Sequence, residues 1–199
     1  MTTSDGRLLR GARSRQSIVR HAVDMASLEG LNGVTIGRLA TALAMSKSGV
    51  QALFGTKEKL QLAAVETARE AFLDAVVRPA SNRPHGVARL RALIAQWTEY
   101  AGIPLFPGGC FRAATMAEFD SKPGPIRDAL VRDQRDWQAL LAGELRHAVE
   151  AGEIRDLDPE LAAFQLDAVL LAANSALRLG DEDALAKVHR VVDGLLQAP

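Results

Sequence analysis

Residues 45–60, with the sequence MSKSGVQALFGTKEKL, gather side chains that can bind a polyanion. The hydroxyls, the glutamine and the three lysines of this stretch can contact base edges or phosphates, and Gly49 allows the backbone to approach closely. Val50, Leu53 and Phe54 recur among them at helical spacing and would anchor one side of the segment. The stretch is either a solvated turn between two helices or a surface that reads nucleic acid, and the elements around it must decide between the two.

Basic side chains are concentrated towards the N-terminal end of this chain of 199 residues. Residues 1–60 carry nine lysines and arginines against four acids, which gives them a net charge of +5. The other 139 residues carry 15 basic and 20 acidic side chains, which gives a net charge of −5. The zero net charge of the whole chain conceals this asymmetry. It is typical of a protein whose N-terminal region contacts nucleic acid while the rest of the chain does not.

Helical periodicity recurs along the whole chain, and no alternation of the kind that strands show persists anywhere. Ala and Leu fill most of the apolar positions, and both are strong helix formers. We therefore predict an all-α protein. The predicted helices are 15–29, 35–43, 46–54, 56–78, 86–101, 108–119, 125–151, 159–178 and 182–197.

The two short predicted helices, 35–43 and 46–54, have the dimensions of a helix-turn-helix unit. In such a unit the second helix enters the major groove of DNA and presents its N-terminal side chains to the base edges. Lys57 adds a charge at the start of the next helix, where backbone amides favour a phosphate. Pairs of short helices also occur as plain packing units, but the basic N-terminal region favours DNA binding. The candidate DNA-binding residues are Thr35, Arg38, Ser46, Lys47, Ser48, Gly49, Gln51 and Lys57.

The segments IVRHAVDMASLEGLNGVT (18–35) and TIGRLATALAMSKSGVQALFGTKEKL (35–60) resemble the DNA-binding region of the tetracycline-repressor (TetR) family of bacterial transcriptional regulators. In that family the recognition helix begins with Ser-Lys, closes on Phe and is followed by Lys-Glu-x-Leu. The resemblance implies a cytoplasmic homodimer, by family default a repressor, that binds a palindromic operator and is released by a small molecule. The matching residues are Gly33, Thr35, Ile36, Ala40, Ser46, Lys47, Val50, Phe54, Lys57, Glu58 and Leu60.

Two positions of the recognition helix depart from the family pattern. The family usually has an aromatic residue, most often Tyr, at the position of Gln51, and His or Tyr at the position of Leu53. That Tyr normally braces a phosphate, whereas Gln51 could bond a phosphate or an adenine edge. The departures keep open a small-molecule binding protein of the same fold with weakened or lost specific DNA binding. A non-specific architectural DNA-binding protein is a third reading, for which the basic arm RLLRGARSR (7–15) would argue.

The resemblance divides the chain into two predicted domains. Residues 13–60 would form the helix-turn-helix domain, helix 56–78 would link it onward, and residues 79–199 would bind a ligand and dimerise. Most of the aromatic side chains fall between positions 97 and 137, as in an apolar pocket for a small molecule, although aromatic residues at helical spacing also fit a plain core. The candidate ligand-binding residues are Trp97, Tyr100, Phe106, Phe111, Met116, Phe119, Gln134 and Trp137, with Glu118 as a weaker polar candidate.

Predicted helix 159–178 is apolar on nearly every side and must therefore be covered on both sides. We expect a second copy of the chain to supply that cover together with helix 182–197, while an internal helix of a monomer is the alternative. The apolar run 161–177 contains Gln165 and Asp167, so we expect it to be too short and too polar to cross a bilayer. The candidate dimer-interface residues are Phe164, Ala168, Leu171, Leu185, Val188, Val192 and Leu195.

The sequence contains no motif typical of an enzyme. The four histidines are scattered, and there is no phosphate loop, nucleophile elbow or metal signature. A single cysteine and the lack of a signal peptide fit the cytoplasm, and Cys110 is either a buried thiol or, at a predicted helix start, a redox sensor. We therefore expect no catalysis, no cofactor and no metal. The expected partners are operator DNA, a second copy of the chain and an unidentified small-molecule effector, with no membrane.

Overall fold

A computed structural model describes residues 3–103 and 105–198, with the side chains of residues 3–8 and 10 outside that description. All regular elements of the described residues are helical, so the all-α prediction is confirmed. A π-helical turn at Leu73–Val77 separates α4 from α5. The helices are α1 (Thr3–Gly33), α2 (Ile36–Ala42), α3 (Lys47–Phe54), α4 (Lys57–Phe72), α5 (Arg78–Ala80), α6 (Val87–Gly102), α7 (Phe111–Phe119), α8 (Pro125–Glu150), α9 (Pro159–Arg178) and α10 (Ala184–Leu195).

The helix starts follow from capping side chains that the sequence places there. Thr35 Oγ1 accepts a hydrogen bond of 3.2 Å from the backbone N–H of Arg38 and so caps α2. Ser46 Oγ accepts one of 3.1 Å from Gly49 N–H and caps α3, and Asp158 caps α9 in the same way. Each cap satisfies a backbone donor that the first helical turn leaves without a partner.

Two helices differ from their predicted extents. The first helix begins at Thr3 rather than at residue 15, so the stretch 7–15 is helical and not an arm, with the side chains of Arg7 and Arg10 outside the described part. The predicted continuous helix 56–78 changes to π geometry at Leu73, which no residue type in the sequence marks. Such π-helical turns occur where one extra residue is inserted into an α-helix, so that hydrogen bonds there span five residues instead of four.

The chain divides by its contacts into two compact units. Unit 1 comprises residues 1–69 and 106–130, and unit 2 comprises residues 70–105 and 131–199. The segment 106–130 thus belongs with the N-terminal helices because α7 packs on α1, whereas the sequence predicts it to lie in the C-terminal domain. The division into domains 13–60 and 79–199 therefore stays a prediction.

Each unit has its own apolar core. In unit 1, fully buried side chains come from all four N-terminal helices, among them Ile18, Leu39, Val50 and Leu60. They lie at the positions that the helical period of the sequence selects. The core of unit 2 is built by α6, α8, α9 and α10, and its largest fully buried side chains are Leu90, Leu93, Ile94, Trp97, Leu141, Leu145, Leu166 and Leu170.

Helix α9 is the only helix of the described residues that is long and apolar enough to cross a membrane, contrary to the expectation from the run 161–177. Length and composition alone do not distinguish a membrane span from a packed helix of a soluble protein. Asp167 and Asn174 of this helix are buried, and Asp167 accepts hydrogen bonds from side chains of α8. These contacts are those of a helix that packs within a protein core.

Candidate nucleic-acid interface and effector site

Helix α3 has one buried side and one polar exposed side. Val50 and Phe54 are buried in unit 1 and hold the helix on α1 and α2. Lys47, Ser48 and Gln51 are exposed on the opposite side. The helix therefore has the anchored face and the open polar face that a recognition helix needs.

The side chains of this exposed face differ in how much they are already engaged. Ser46 Oγ caps the helix and also accepts a hydrogen bond of 3.3 Å from Ser48 Oγ. Gln51 Nε2 donates to the backbone carbonyl of Gly55, just beyond the end of α3. A contact from Gln51 to a base or a phosphate therefore requires that this intramolecular hydrogen bond be released.

Arg38 and Glu29 form a bidentate ion pair next to the turn between α1 and α2. Arg38 donates to the two Glu29 carboxylate oxygens over 2.5 and 2.9 Å, and to the Gly33 carbonyl over 3.0 Å. The hydrogen bonds from Arg38 lower the pKa of Glu29, and those to Glu29 raise the pKa of Arg38. Arg38, which the sequence predicts to bind DNA, is thus held against α1.

The C-terminal end of α1 also holds two side chains of α4. Lys57 Nζ donates to the carbonyl of Asn32 over 3.0 Å, and Gln61 Nε2 donates to the carbonyl of Leu31 over 2.5 Å. Lys57 is exposed while Gln61 is buried. Of the predicted DNA-binding residues, those on α3 share one open surface, whereas Arg38 and Lys57 are engaged with α1.

Arg15 contacts the end of α3, which the sequence does not predict. Its guanidinium donates to the Leu53 carbonyl over 2.8 Å and lies 4.4 Å from the centre of the Phe54 ring. The same side chain lines an open groove of about 490 Å³ together with Lys59 and Glu66. No spacing rule in a sequence links an arginine of one helix to a phenylalanine 39 positions later, so this contact becomes visible only in the fold.

Glu118, a weaker candidate for the ligand site on sequence grounds, contacts the end of α1 instead. Its Oε2 accepts a hydrogen bond of 3.1 Å from Asn32 N–H. Its carboxylate also lies against Gly30, where a Cβ would be only 2.0 Å from Oε1. Glu118 therefore joins α7 to the end of α1 within unit 1.

In unit 2 the predicted ligand-binding residues Tyr100 and Trp137 pack on opposite sides of one ring. Phe72 meets Tyr100 with ring centres 5.5 Å apart and Trp137 with ring centres 5.2 Å apart, both edge to face. Trp97 is fully buried in the same unit, and Gln134 is half-buried. The arrangement is an aromatic cluster of the kind that stabilises a core and can also line a ligand site.

Trp137 also carries a buried polar atom that nothing in the described part of the chain satisfies. The residue is only 4% exposed, and its Nε1–H has no hydrogen-bond partner there. Gln134, three residues before Trp137 on α8, and Gln138, the residue after it, both donate to Oδ2 of Asp167, which is 1% exposed. A buried donor without a partner costs free energy unless water or a ligand accepts its hydrogen bond.

The other four predicted ligand-binding residues belong to unit 1. Phe106 and Phe111 are buried there, with ring centres 6.4 Å apart at 67°. Met116 and Phe119, on α7, are half-buried. Cys110, at the start of α7, is buried as well. The eight predicted residues are thus divided equally between the two units.

The predicted dimer-interface residues separate into exposed and buried sets. Phe164 is 61% exposed, Ala168 is exposed, and Leu171 lies half-buried along the same side of α9. Val188 and Val192 are 0% and 2% exposed because α10 packs on α9 in the same chain, so neither can contribute to a surface. The remaining two, on α10, are half-buried: Leu185 and Leu195.

These features define a helical protein with a helix-turn-helix unit, the class to which many DNA-binding regulators belong. The family described as "Tetracyclin repressor-like, C-terminal domain" matches residues 86–192, which is more than half of the chain. The chain belongs to the TetR family of transcriptional regulators, as its N-terminal motif predicted. Regulators of this family are transcription factors and not enzymes. In the described part of the chain no group of three His, Cys, Asp or Glu side chains could hold a metal ion.

Solved structures of TetR regulators share the fold over nearly the whole chain. A TetR transcriptional regulator from Chloroflexus aurantiacus is 23% identical, with a TM-score of 0.82 over 94% of both chains. A TetR-family regulator from Agrobacterium tumefaciens is 16% identical, with a TM-score of 0.83 over 94% of this chain and 100% of that one. AibR, solved with isovaleryl coenzyme A and operator DNA, is 18% identical, with a TM-score of 0.75 over 93% and 99%. No curated protein sequence matches this chain.

Proposed function

We propose that this protein is a cytoplasmic repressor that binds a palindromic operator as a homodimer and is released by a small molecule. The observation that carries the proposal is the open polar face of α3, capped at Ser46 and anchored by Val50 and Phe54. In each subunit this helix would enter a major groove, with the two half-sites about one duplex turn, roughly 34–36 Å, apart. Lys47, Ser48 and Gln51 would contact bases or phosphates.

The second copy of the chain would cover the exposed apolar side of α9. Leu161 and Phe164 are 54% and 61% exposed, and Ala168 continues the same stripe one turn further along the helix. Large exposed apolar side chains in a row mark interaction surfaces. A two-fold dimer buries the same stripe on both subunits, which supports α9 as the centre of the interface.

The effector would bind in unit 2 beside Trp137, whose buried Nε1–H supports an acceptor oxygen on the ligand. The aromatic rings of Phe72 and Tyr100 favour an apolar or aromatic body. The nearby carboxylate of Asp167 disfavours a negatively charged ligand. The ligand would release DNA by binding more tightly to the state that does not bind the operator.

The proposal is tested by selection from a random pool of double-stranded DNA. The purified protein is incubated with the pool at physiological salt, and the duplexes that it retains are sequenced after several rounds. An enriched inverted repeat is expected. Lys47→Ala should then weaken binding to that repeat and reduce the slope of log affinity against log salt by about 1. Lys187→Ala, which removes the same charge from α10, should leave both unchanged.

The alternative function is that of a ligand-binding protein on this fold that has lost specific DNA recognition. Gln51 and Leu53, which occupy positions where the family usually has aromatic side chains, favour this alternative. Gln51 donates to the Gly55 carbonyl, and Leu53 is half-buried. Selection would then retain no DNA although the protein is folded and dimeric. Retention of DNA without a common sequence would instead support the non-specific architectural reading.

A further inference from the structure

We propose that Glu118 is a positioning residue through which the segment 106–130 controls the orientation of the DNA-reading helices α2 and α3. The inference rests on the proposed function, because it supplies the regulation of that same DNA-binding surface. It begins at Gly30, where α1 departs from helical geometry with φ 76° and ψ 168°. This backbone region is essentially restricted to glycine, so the kink is a built feature of the chain.

Residues 31–33 follow the kink and form the last turn of α1, where backbone carbonyls lack the N–H partners that a longer helix would supply. Side chains from α4 and α2 take up the carbonyls: Gln61 binds Leu31, Lys57 binds Asn32, and Arg38 binds Gly33. The short segment 31–33 is therefore the point at which both helices flanking α3 are attached to α1. We call residues 30–33 the α1 junction.

Glu118 supplies the remaining contact of the α1 junction, and it comes from α7. Its Oε2 accepts the hydrogen bond from Asn32 N–H over 3.1 Å. Both of its carboxylate oxygens would lie within 2.7 Å of a Cβ at Gly30, so the carboxylate fills the space that the glycine leaves open. A charged acceptor makes this hydrogen bond stronger than one between neutral groups.

A second contact holds the start of the segment 106–130 against α1. Gly108 N–H donates to Ser27 Oγ over 3.0 Å, and a Cβ at Gly108 would be 1.9 Å from the Ser27 carbonyl oxygen. The segment thus touches α1 at Ser27 and again at the junction. In sequence it lies between α6 and α8, which carry Trp97 and Trp137.

The mechanism follows from these contacts. If α7 shifts by a fraction of a helical turn, the Glu118 carboxylate leaves Gly30 and no longer accepts from Asn32 N–H. The α1 junction is then held only by its carbonyls, so α2 and α3 gain freedom relative to α1. Because an operator requires a fixed separation of the two α3 helices, the loosened state binds it less tightly.

The test is hydrogen–deuterium exchange on the full-length protein without DNA or ligand. In Glu118→Ala, exchange over residues 31–54 should rise about fivefold to tenfold, as expected for loss of a half-exposed charge-assisted hydrogen bond. Glu118→Gln should give a smaller rise, because its amide oxygen can still accept from Asn32. Exchange in α9 and the melting temperature should stay close to those of the unchanged protein. Asp120→Asn, which removes an exposed carboxylate two residues away, is the matched control and should change nothing.

Unchanged exchange over 31–54 in Glu118→Ala would overturn the proposal. An equal rise in α9 together with a lower melting temperature would overturn it too, since it would reveal a general structural role. The operator obtained by selection then supplies a second arm, in which Glu118→Ala should bind at least about fivefold more weakly and Asp120→Asn normally. Faster exchange with unchanged operator affinity would refute control of DNA reading. If selection yields no operator, the proposed function fails, while the exchange experiment still decides the role of Glu118.

Discussion

The contact of Arg15 with the end of α3 should make this arginine important for the stability of α3. The guanidinium donates to the Leu53 carbonyl and stacks on Phe54. An exposed cation–π contact contributes about 0.5–1 kcal/mol, and a hydrogen bond of this kind about 1 kcal/mol. Arg15→Ala should therefore destabilise the local structure by about 1.5 kcal/mol, which corresponds to roughly a tenfold change in an opening equilibrium.

Hydrogen–deuterium exchange without DNA measures this effect separately from any loss of phosphate contacts. Amides of residues 50–55 should exchange about tenfold faster in Arg15→Ala than in the unchanged protein. Arg15→Lys should recover only part of the protection, because an ammonium lacks the planar guanidinium that stacks on a ring. Arg13→Ala removes the same charge from an exposed position of the same helix and should alter exchange little. The reasoning is refuted if Arg13→Ala and Arg15→Ala change the exchange of α3 equally.

Three further predictions concern the ion pair, the effector site and the dimer. Arg38 lowers the pKa of Glu29 in the folded state, so the ionised carboxylate stabilises the fold above its unfolded pKa, and this stability is lost as the pH falls through the folded pKa. Glu29→Gln should therefore have a lower melting temperature than the unchanged protein at pH 7, and the difference in melting temperature should disappear in acid. Trp137→Phe should abolish the preference for acetophenone over ethylbenzene in calorimetric titration, because the ketone oxygen loses its donor, and a retained preference would exclude that contact. Phe164→Glu should give monomers in sedimentation, whereas Val188→Ala should stay dimeric and lose about 2 kcal/mol of stability by denaturant titration.

Features that depend on a few neighbouring residues could be predicted from the sequence. The caps at Thr35 and Ser46 are of this kind, because each hydroxyl accepts from a backbone N–H only three residues later, within one helical turn. The buried face of α3 follows from helical spacing in the same way. Both features depend only on residues a few positions apart, and the sequence shows these directly.

Features that depend on which elements meet in space could not be predicted. The spacing of Val188 and Val192 indicates a buried face of α10 but not whether the cover comes from α9 of the same chain or from a partner. The roles of Arg38 and Lys57 are similarly ambiguous, since a basic side chain near a helix start fits a phosphate and a backbone carbonyl equally well. Glu118 meets Gly30 across 88 positions of sequence, and only the packing of α7 on α1 creates that contact.

The kink at Gly30 connects these non-local contacts with regulation. The carbonyls at the end of a helix have no N–H partner within it, and those of residues 31–33 accept hydrogen bonds from side chains of α2 and α4, while Asn32 N–H donates to a side chain of α7. Each hydrogen bond to an exposed group contributes only about 0.5–1.5 kcal/mol to stability. One of them can therefore be replaced by a hydrogen bond to water without unfolding the core that contains Ile18 and Leu39. A coupling of 1–3 kcal/mol is also the size that allosteric control requires. The attachment of α2 and α4 to the end of α1 through single hydrogen bonds would therefore allow a small movement of α7 to change the proposed DNA-binding surface while the rest of unit 1 stays folded.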